Sequence, residues 1–165
     1  MLDSRCIETV QFKKVLNSDK VRCNVMVRVG LLEDNDRIAQ LCAKLLGCAG
    51  HEVCIYGHPR ECLRALQPSF ETLPAGEGRS SFQSLPIDVL ILDLHLPDIT
   101  GMEILRLLCS QPRTRSIPLI LCTAATPNEI SRAMRLAPNA DLIEKPFSYQ
   151  SLVSAIANAL QIQRA

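Results

Sequence analysis

The run Val89-Leu90-Ile91-Leu92 constrains this chain more than any other stretch, because four apolar residues in a row stop at a carboxylate, Asp93. A continuous apolar run reads as a strand buried on both faces, the pattern of a parallel sheet. Pro97 and Gly101 then punctuate a loop, and Thr100 is placed to cap a helix with Met102, Leu105 and Leu108 on one face. Asp93 is therefore expected at the carboxyl end of a central strand, the edge where open α/β sheets collect ligands and chemistry. One such Asp is equally a helix cap or a loop carboxylate, so the other strand ends matter. Val27–Leu32 runs into Glu33-Asp34, Leu119–Cys122 into Thr123, and Leu142-Ile143 into Glu144-Lys145-Pro146.

Taken in order, residues 1–24 lack a clean hydrophobic period and read as an N-terminal extension, partly ordered at best. Residues 25–165 read as one domain. Val25–Leu32 is the first strand, followed by an acidic turn, Glu33 to Asp36, and a helix. In that helix Ile38, Leu41, Cys42, Leu45, Leu46 and Ala49 fall at the spacing of one buried face, and Gly50 ends it. Val53–Tyr56 is a short strand and Pro59 opens a helix with Cys62, Leu63 and Leu66. Residues 67–85, rich in Pro, Gly and Ser, exceed the usual ~2–6 residues of an αβ loop and read as a surface insertion. After the central strand and its helix come a strand at Leu119–Thr123 and a helix opened by Thr126-Pro127-Asn128-Glu129. A strand at Asp141–Ile143 and a helix from about Ser148 to Ile162 complete the alternation. Five strands alternating with five helices imply parallel strands joined by right-handed crossovers, with helices on both faces.

Composition excludes several classes. A formal net charge of +1 gives no electrostatic case for nucleic acid or an anionic membrane. Aromatic residues make up 4% and Trp is absent, which argues against base-stacking platforms. No stretch approaches the ~20 apolar residues of a membrane-spanning helix, and Asp3, Arg5 and Glu8 are unlike a signal peptide. The 8 cysteines include no C-x-x-C pair. They read as free, mostly small buried hydrophobes, which points to a reducing cytoplasm.

If the strand ends converge, Glu33, Asp34 and Asp93 form a carboxylate cluster. Like charges so close repel unless a cation intervenes, and hard oxygen ligands with room for water suit Mg²⁺. An Asp carboxylate can accept a phosphoryl group as a nucleophile, a transfer that needs charge neutralisation more than covalent help. Lys145 supplies a point charge for a phosphoryl oxygen and Thr123 a hydroxyl donor. His51, His58 and His95 have no evident Ser or Cys partner, so no triad is present. Singly, Lys145 also reads as a solvated lysine and Thr123 as an ordinary strand residue.

The pieces Leu32-Glu33-Asp34-Asn35, Asp93 to Gly101, Leu121-Cys122-Thr123-Ala124 and Glu144-Lys145-Pro146-Phe147, in this order and spacing, resemble the receiver domain of two-component response regulators. The resemblance covers roughly Val25–Ile162. It implies a flavodoxin-like three-layer sandwich with a five-stranded parallel sheet. It implies that Asp93 accepts a phosphoryl group from a histidine kinase or histidine phosphotransfer protein and thereby switches binding to a target protein. Asp34 would ligate Mg²⁺ directly, Glu33 through water, and the backbone carbonyl of His95 would complete the protein ligands. Thr123 would be the switch hydroxyl, Lys145 the phosphate-binding lysine, and the Lys145–Pro146 bond cis. The implied kinase-docking surface lies over the first helix near Ile38 and the loops around Asp93. The implied output surface includes Arg132, Arg135 and Leu142. The sequence departs from the family at Leu142, where an aromatic residue is usual, and the side chain of His95 occupies a position that tunes phosphoryl lifetime. The domain would be a signalling module rather than an enzyme. The rivals are a degenerate receiver that acts only as an interaction module, and a phosphatase using Asp93 as a transient nucleophile. His95, standing where such phosphatases carry a second acid, weighs against the last.

Overall fold

The computed structural model describes residues 26–67, 84–97 and 99–162. The expected 1–24 extension and almost all of the 67–85 insertion lie outside them. Among the described residues ten elements alternate strictly: β1 (Arg28–Leu32), α1 (Asp36–Cys48), β2 (Glu52–Tyr56), α2 (Pro59–Leu66), β3 (Val89–Leu92), α3 (Gly101–Ser110), β4 (Leu119–Thr123), α4 (Pro127–Leu136), β5 (Asp141–Glu144) and α5 (Tyr149–Ile162). The strands form one parallel sheet in the order β2-β1-β3-β4-β5. This is the flavodoxin-like arrangement, with the order reversing beside β1 and β3.

The apolar runs divide their side chains between two cores by the period of the strand. Val29, Leu31, Val89, Ile91, Ile120 and Cys122 pack on one face under α1 and α5. Leu32, Leu90, Leu92, Leu119 and Leu121 pack on the other under α2, α3 and α4. All four residues of β3 are fully buried, so the strand that ends at Asp93 is the centre of the domain. Arg28 fastens β1 to the start of β3: its backbone N–H and guanidinium donate to the Asp88 carboxylate at 2.8, 3.2 and 2.8 Å. These hydrogen bonds hold the Asp88 carboxyl below its ordinary range.

Each β-to-α turn is closed by its own residues. Asn35 caps α1, its side-chain oxygen accepting from the N–H groups of Arg37 and Ile38. Thr100 and Thr126 cap α3 and α4, each paired in a capping box with the Glu three residues on. Gly50, just past the C-cap of α1, sits at φ +89, a conformation L side chains rarely adopt. Gly101 is required for a different reason. Its N–H donates to the Leu94 carbonyl at 3.1 Å, and a Cβ there would meet the backbone of Leu94 and stand 2.5 Å from the Asp93 carbonyl oxygen.

Two expectations need correction. Leu41 does not join the buried face of α1; it is 50% exposed, while Ala39, Cys42 and Leu46 make that face. Only a narrow strip of α1, through Ala39, Cys42 and Leu46, is covered by the sheet, and the neighbouring apolar Leu41 remains in solvent. Nor are most of the described cysteines buried. Cys42, Cys62 and Cys122 are, with burial pushing their thiols up to about 11, 12 and 12, but Cys48 and Cys54 are exposed. Cys6 and Cys23 lie outside the described residues. All six described cysteines are free. None of the described helices is long and apolar enough to cross a membrane.

Two predictions follow from this packing. Gly101→Ala forces backbone apart beside Asp93 and should destabilise the domain by about 1–3 kcal/mol, read as a lowered denaturation midpoint at unchanged m-value. His51 is 6% exposed and neither ring nitrogen has a hydrogen-bond partner. Burial therefore lowers its pKa below the ordinary 6.5. The unfolded chain then takes up the proton first, so stability is full above about pH 6.5 and falls as pH drops from there toward the folded-state value. His51→Leu should flatten that part of the stability–pH curve between pH 7.5 and 5.5.

Candidate functional site

The carboxyl ends of β1, β3, β4 and β5 bring the expected residues together. Glu33 and Asp93, from adjacent strands, are 4% and 6% exposed, and Thr123 is fully buried. Asp34, one residue beyond Glu33, is exposed. Carboxylate oxygens of Glu33, Asp34 and Asp93 lie within 4.8 Å of one another.

Lys145 supplies the missing positive charge. It follows β5 directly, and its backbone N–H donates to the Thr123 carbonyl at 3.0 Å. The Lys145–Pro146 peptide is cis, as expected. Its ammonium donates to Glu33 Oε2 at 2.5 Å and to Asp93 Oδ2 at 2.7 Å, with 15% of the side chain exposed. Burial pulls the Lys145 pKa down, but its hydrogen bonds to Asp93 and Glu33 together outweigh it, and the group is held above its ordinary value. It remains a cation.

The remaining lone pairs of the acids are met by backbone. Asp93 Oδ1 accepts from the His95 N–H at 2.9 Å, and Glu33 Oε1 accepts from the Asn35 N–H at 3.1 Å. Thr123 Oγ1 accepts from the Ala125 N–H at 3.2 Å. The loops after β1, β3 and β4 thus each turn back on the acidic or hydroxyl group that opens them. The rim is completed by an open cleft of about 640 Å³ whose lining includes Asp34, His95, Met102, Arg106, Glu129 and Arg132.

The donor set fits a hard divalent cation. Three carboxylates converge, one of them facing solvent where water can complete the coordination, and no described thiol or imidazole ring joins the cluster. Two contributions were not legible in the sequence. Asn35 both caps α1 and donates to Glu33, a double use that only the turn geometry reveals. Glu129 was read as a helix start, and its capping signature was visible, but its Oε1 also lies 3.5 Å from His95 Nε2. Hydrogen bonds from the Thr126 side chain and N–H, then the contact with His95, hold the Glu129 carboxyl below its ordinary range.

The family profile of the response regulator receiver domain matches residues 29–157. The chain belongs to this family. Among curated relatives, the phosphate regulon transcriptional regulatory protein PhoB of Rhizobium meliloti is 30% identical over 138 residues, 83% of this receiver and 53% of PhoB. The sensory transduction protein RegX3 of Mycolicibacterium smegmatis is 29% identical over 138 residues, 82% of the receiver and 51% of RegX3. The chain spans about half the length of the curated relatives it matches. Among solved structures, chemotaxis protein CheY4 of Vibrio cholerae superimposes with a TM-score of 0.65 at 24% identity, covering 82% of this chain and all of CheY4. A CheY-like receiver from Methanospirillum hungatei JF-1 gives 0.67 at 21% identity, covering 85% and 98%. These structures share the fold. Receivers are signalling modules of two-component systems that interact with histidine kinases, and the acidic cluster here is typical of their Mg²⁺ site.

The geometry predicts the effect of removing the cation. Lys145→Met leaves two buried carboxylates with no counter-charge and should cost about 3 kcal/mol of stability in a chelating buffer. Adding millimolar Mg²⁺ should recover part of that loss, measured by denaturant titration of the variant with and without the ion.

Proposed function

We propose that this receiver is a phospho-accepting switch of a two-component phosphorelay, in which Asp93 takes a phosphoryl group from a histidine kinase or a histidine phosphotransfer protein. The observation that carries the reading is a nearly buried Asp93 whose two oxygens are held by Lys145 and by the His95 N–H, with Glu33 and Asp34 alongside. Buried acids in contact with a retained cation, at the ligand edge of the sheet, are arranged for charge handling rather than for packing.

In this reading an Asp93 carboxylate oxygen attacks phosphorus, the bond from phosphorus to the donor nitrogen breaks, and the leaving imidazole keeps the electron pair. Asp34 and Asp93, Glu33 through water and the His95 carbonyl would hold Mg²⁺, which would supply neutralisation of the transferring phosphoryl charge. Lys145 gives one ammonium hydrogen bond to a phosphoryl oxygen, exchanging part of its contact with Asp93. Thr123 turns its hydroxyl from the Ala125 N–H toward another. Both residues hold the product; neither is consumed, and the protein is a signalling domain rather than a turnover enzyme.

The same reading assigns residues 25–165 to the receiver, with 1–24 as an extension and 67–85 as an insertion. The donor docks over α1 near Ile38, with exposed Leu41 extending that apolar strip, and the target protein binds around α4, β5 and α5, including Arg132, Arg135 and Leu142. Free cysteines fit a cytoplasmic setting.

Intact mass after incubation with Mg²⁺ and a small acyl-phosphate donor tests the proposal. The expected result is a single phosphoryl adduct on the wild type, absent from Asp93→Asn and abolished by a chelator. An unmodified wild type that also fails to bind Mg²⁺ would leave a degenerate interaction module instead. Sustained hydrolysis of small phosphate esters would favour a phosphatase.

A further inference from the structure

The first turn of α4 is tied to the Asp93 site by two separate routes that meet at Thr126. One runs along the chain. Thr123 Oγ1 accepts from the Ala125 N–H, and the next residue is the N-cap of α4. The other crosses space. The His95 N–H holds Asp93 Oδ1, the His95 ring reaches Glu129 Oε1 at 3.5 Å, and Glu129 Oε2 accepts from the Thr126 N–H at 2.8 Å and its hydroxyl at 2.7 Å. One carboxylate therefore grips the α4 cap with one oxygen and the acceptor loop with the other.

The comparable capping box on α3 is simpler. Glu103 Oε2 closes on Thr100 at 3.1 and 3.0 Å, with no described ion pair to the acceptor loop. Capping alone does not call for Glu129 to reach His95. Moreover, β5 carries Leu142, a half-buried aliphatic residue, so no aromatic side chain is available there to report on Thr123.

We propose that Glu129 is a positioning residue that, through His95, couples the state of Asp93 to the first turn of α4. The inference rests on the reading of Asp93 as phospho-acceptor. A phosphoryl group on Asp93 changes the size and charge of the acid that the His95 N–H now holds. The His95 backbone must adjust, its ring moves with it, and Glu129 transmits the displacement to the Thr126 cap. Both ends of the route are short-range hydrogen bonds. The middle contact is exposed, so its share of the coupling is a modest factor rather than an all-or-none switch.

The test is a double-mutant cycle on the full chain with His95→Ala, Glu129→Ala and the pair, each treated with Mg²⁺ and a small acyl-phosphate donor. The readouts are intact mass and the phosphorylation-induced amide shifts at Thr126–Met134, with Glu103→Ala as the control for losing a capping box. Glu129→Ala should still gain the adduct while its α4 shifts, scaled to the phosphorylated fraction, fall about twofold; on the same scale His95→Ala should lose as much and the pair no more than either single variant, because both sit on one route. Glu103→Ala should leave the α4 shifts as in wild type. Glu129→Gln, whose amide can still span Thr126 and His95, should restore most of the response. Adducts with undiminished α4 shifts in Glu129→Ala would overturn the coupling alone, as would losses that add in the pair. A wild type that takes no adduct would overturn the acceptor reading and this inference with it.

Discussion

The structure depends on one ammonium group placed between two buried acids. Glu33 and Asp93 close neighbouring strands at the centre of a parallel sheet, and Lys145 reaches both from the end of β5. Burying two carboxylates side by side without a cation would be costly, and burying the lysine without the acids equally so. The two acids hold the lysine above its ordinary pKa, so a cation stands between them. That mutual requirement spans the sheet from β1 to β5, and it explains why charged side chains survive in a nearly buried position at the edge of an apolar sheet.

Around that centre the sheet and its loops have divided the work. The strands are almost wholly apolar and fill two cores, one on each face. The loops do the polar chemistry with their own backbone. The N–H groups of Asn35, His95 and Ala125 each bond the acidic or hydroxyl side chain two residues before them. The helices that follow these turns are capped by Asn35, Thr100 and Thr126. At Asn35 capping and site construction coincide, since the residue that starts α1 also donates to Glu33. Gly101 shows how tight the arrangement is, with no room for a single carbon between the start of α3 and the Asp93 backbone.

Much of this was legible in the residues. The alternation of apolar runs with amphipathic segments specified five parallel strands and five helices. The polar residues that stop those runs identified Glu33, Asp34, Asp93, Thr123 and Lys145 as neighbours. Such signals are local: a strand buried on both faces must be apolar throughout, and a helix start leaves orphan N–H groups that Thr100 or Thr126 answers. Leu41 was misplaced for the same reason. Periodicity reports which positions share a helix face, but the width of the face that is covered depends on what packs against it.

The sequence by itself determined the secondary elements, their parallel alignment and the list of groups at the carboxyl edge, because each follows from hydrophobic period, cap chemistry or the chirality of the crossover. Only the tertiary structure decided how those groups pair. That Lys145 divides its hydrogen bonds between Glu33 and Asp93, that Gly101 presses on the Asp93 backbone, and that Glu129 reaches from α4 to His95 are facts about distances between segments far apart in the chain. Hydrogen bonds and ion pairs act over a few ångströms, and no pattern along a chain encodes which of two carboxylates a lysine will touch until the sheet has brought the strand ends together.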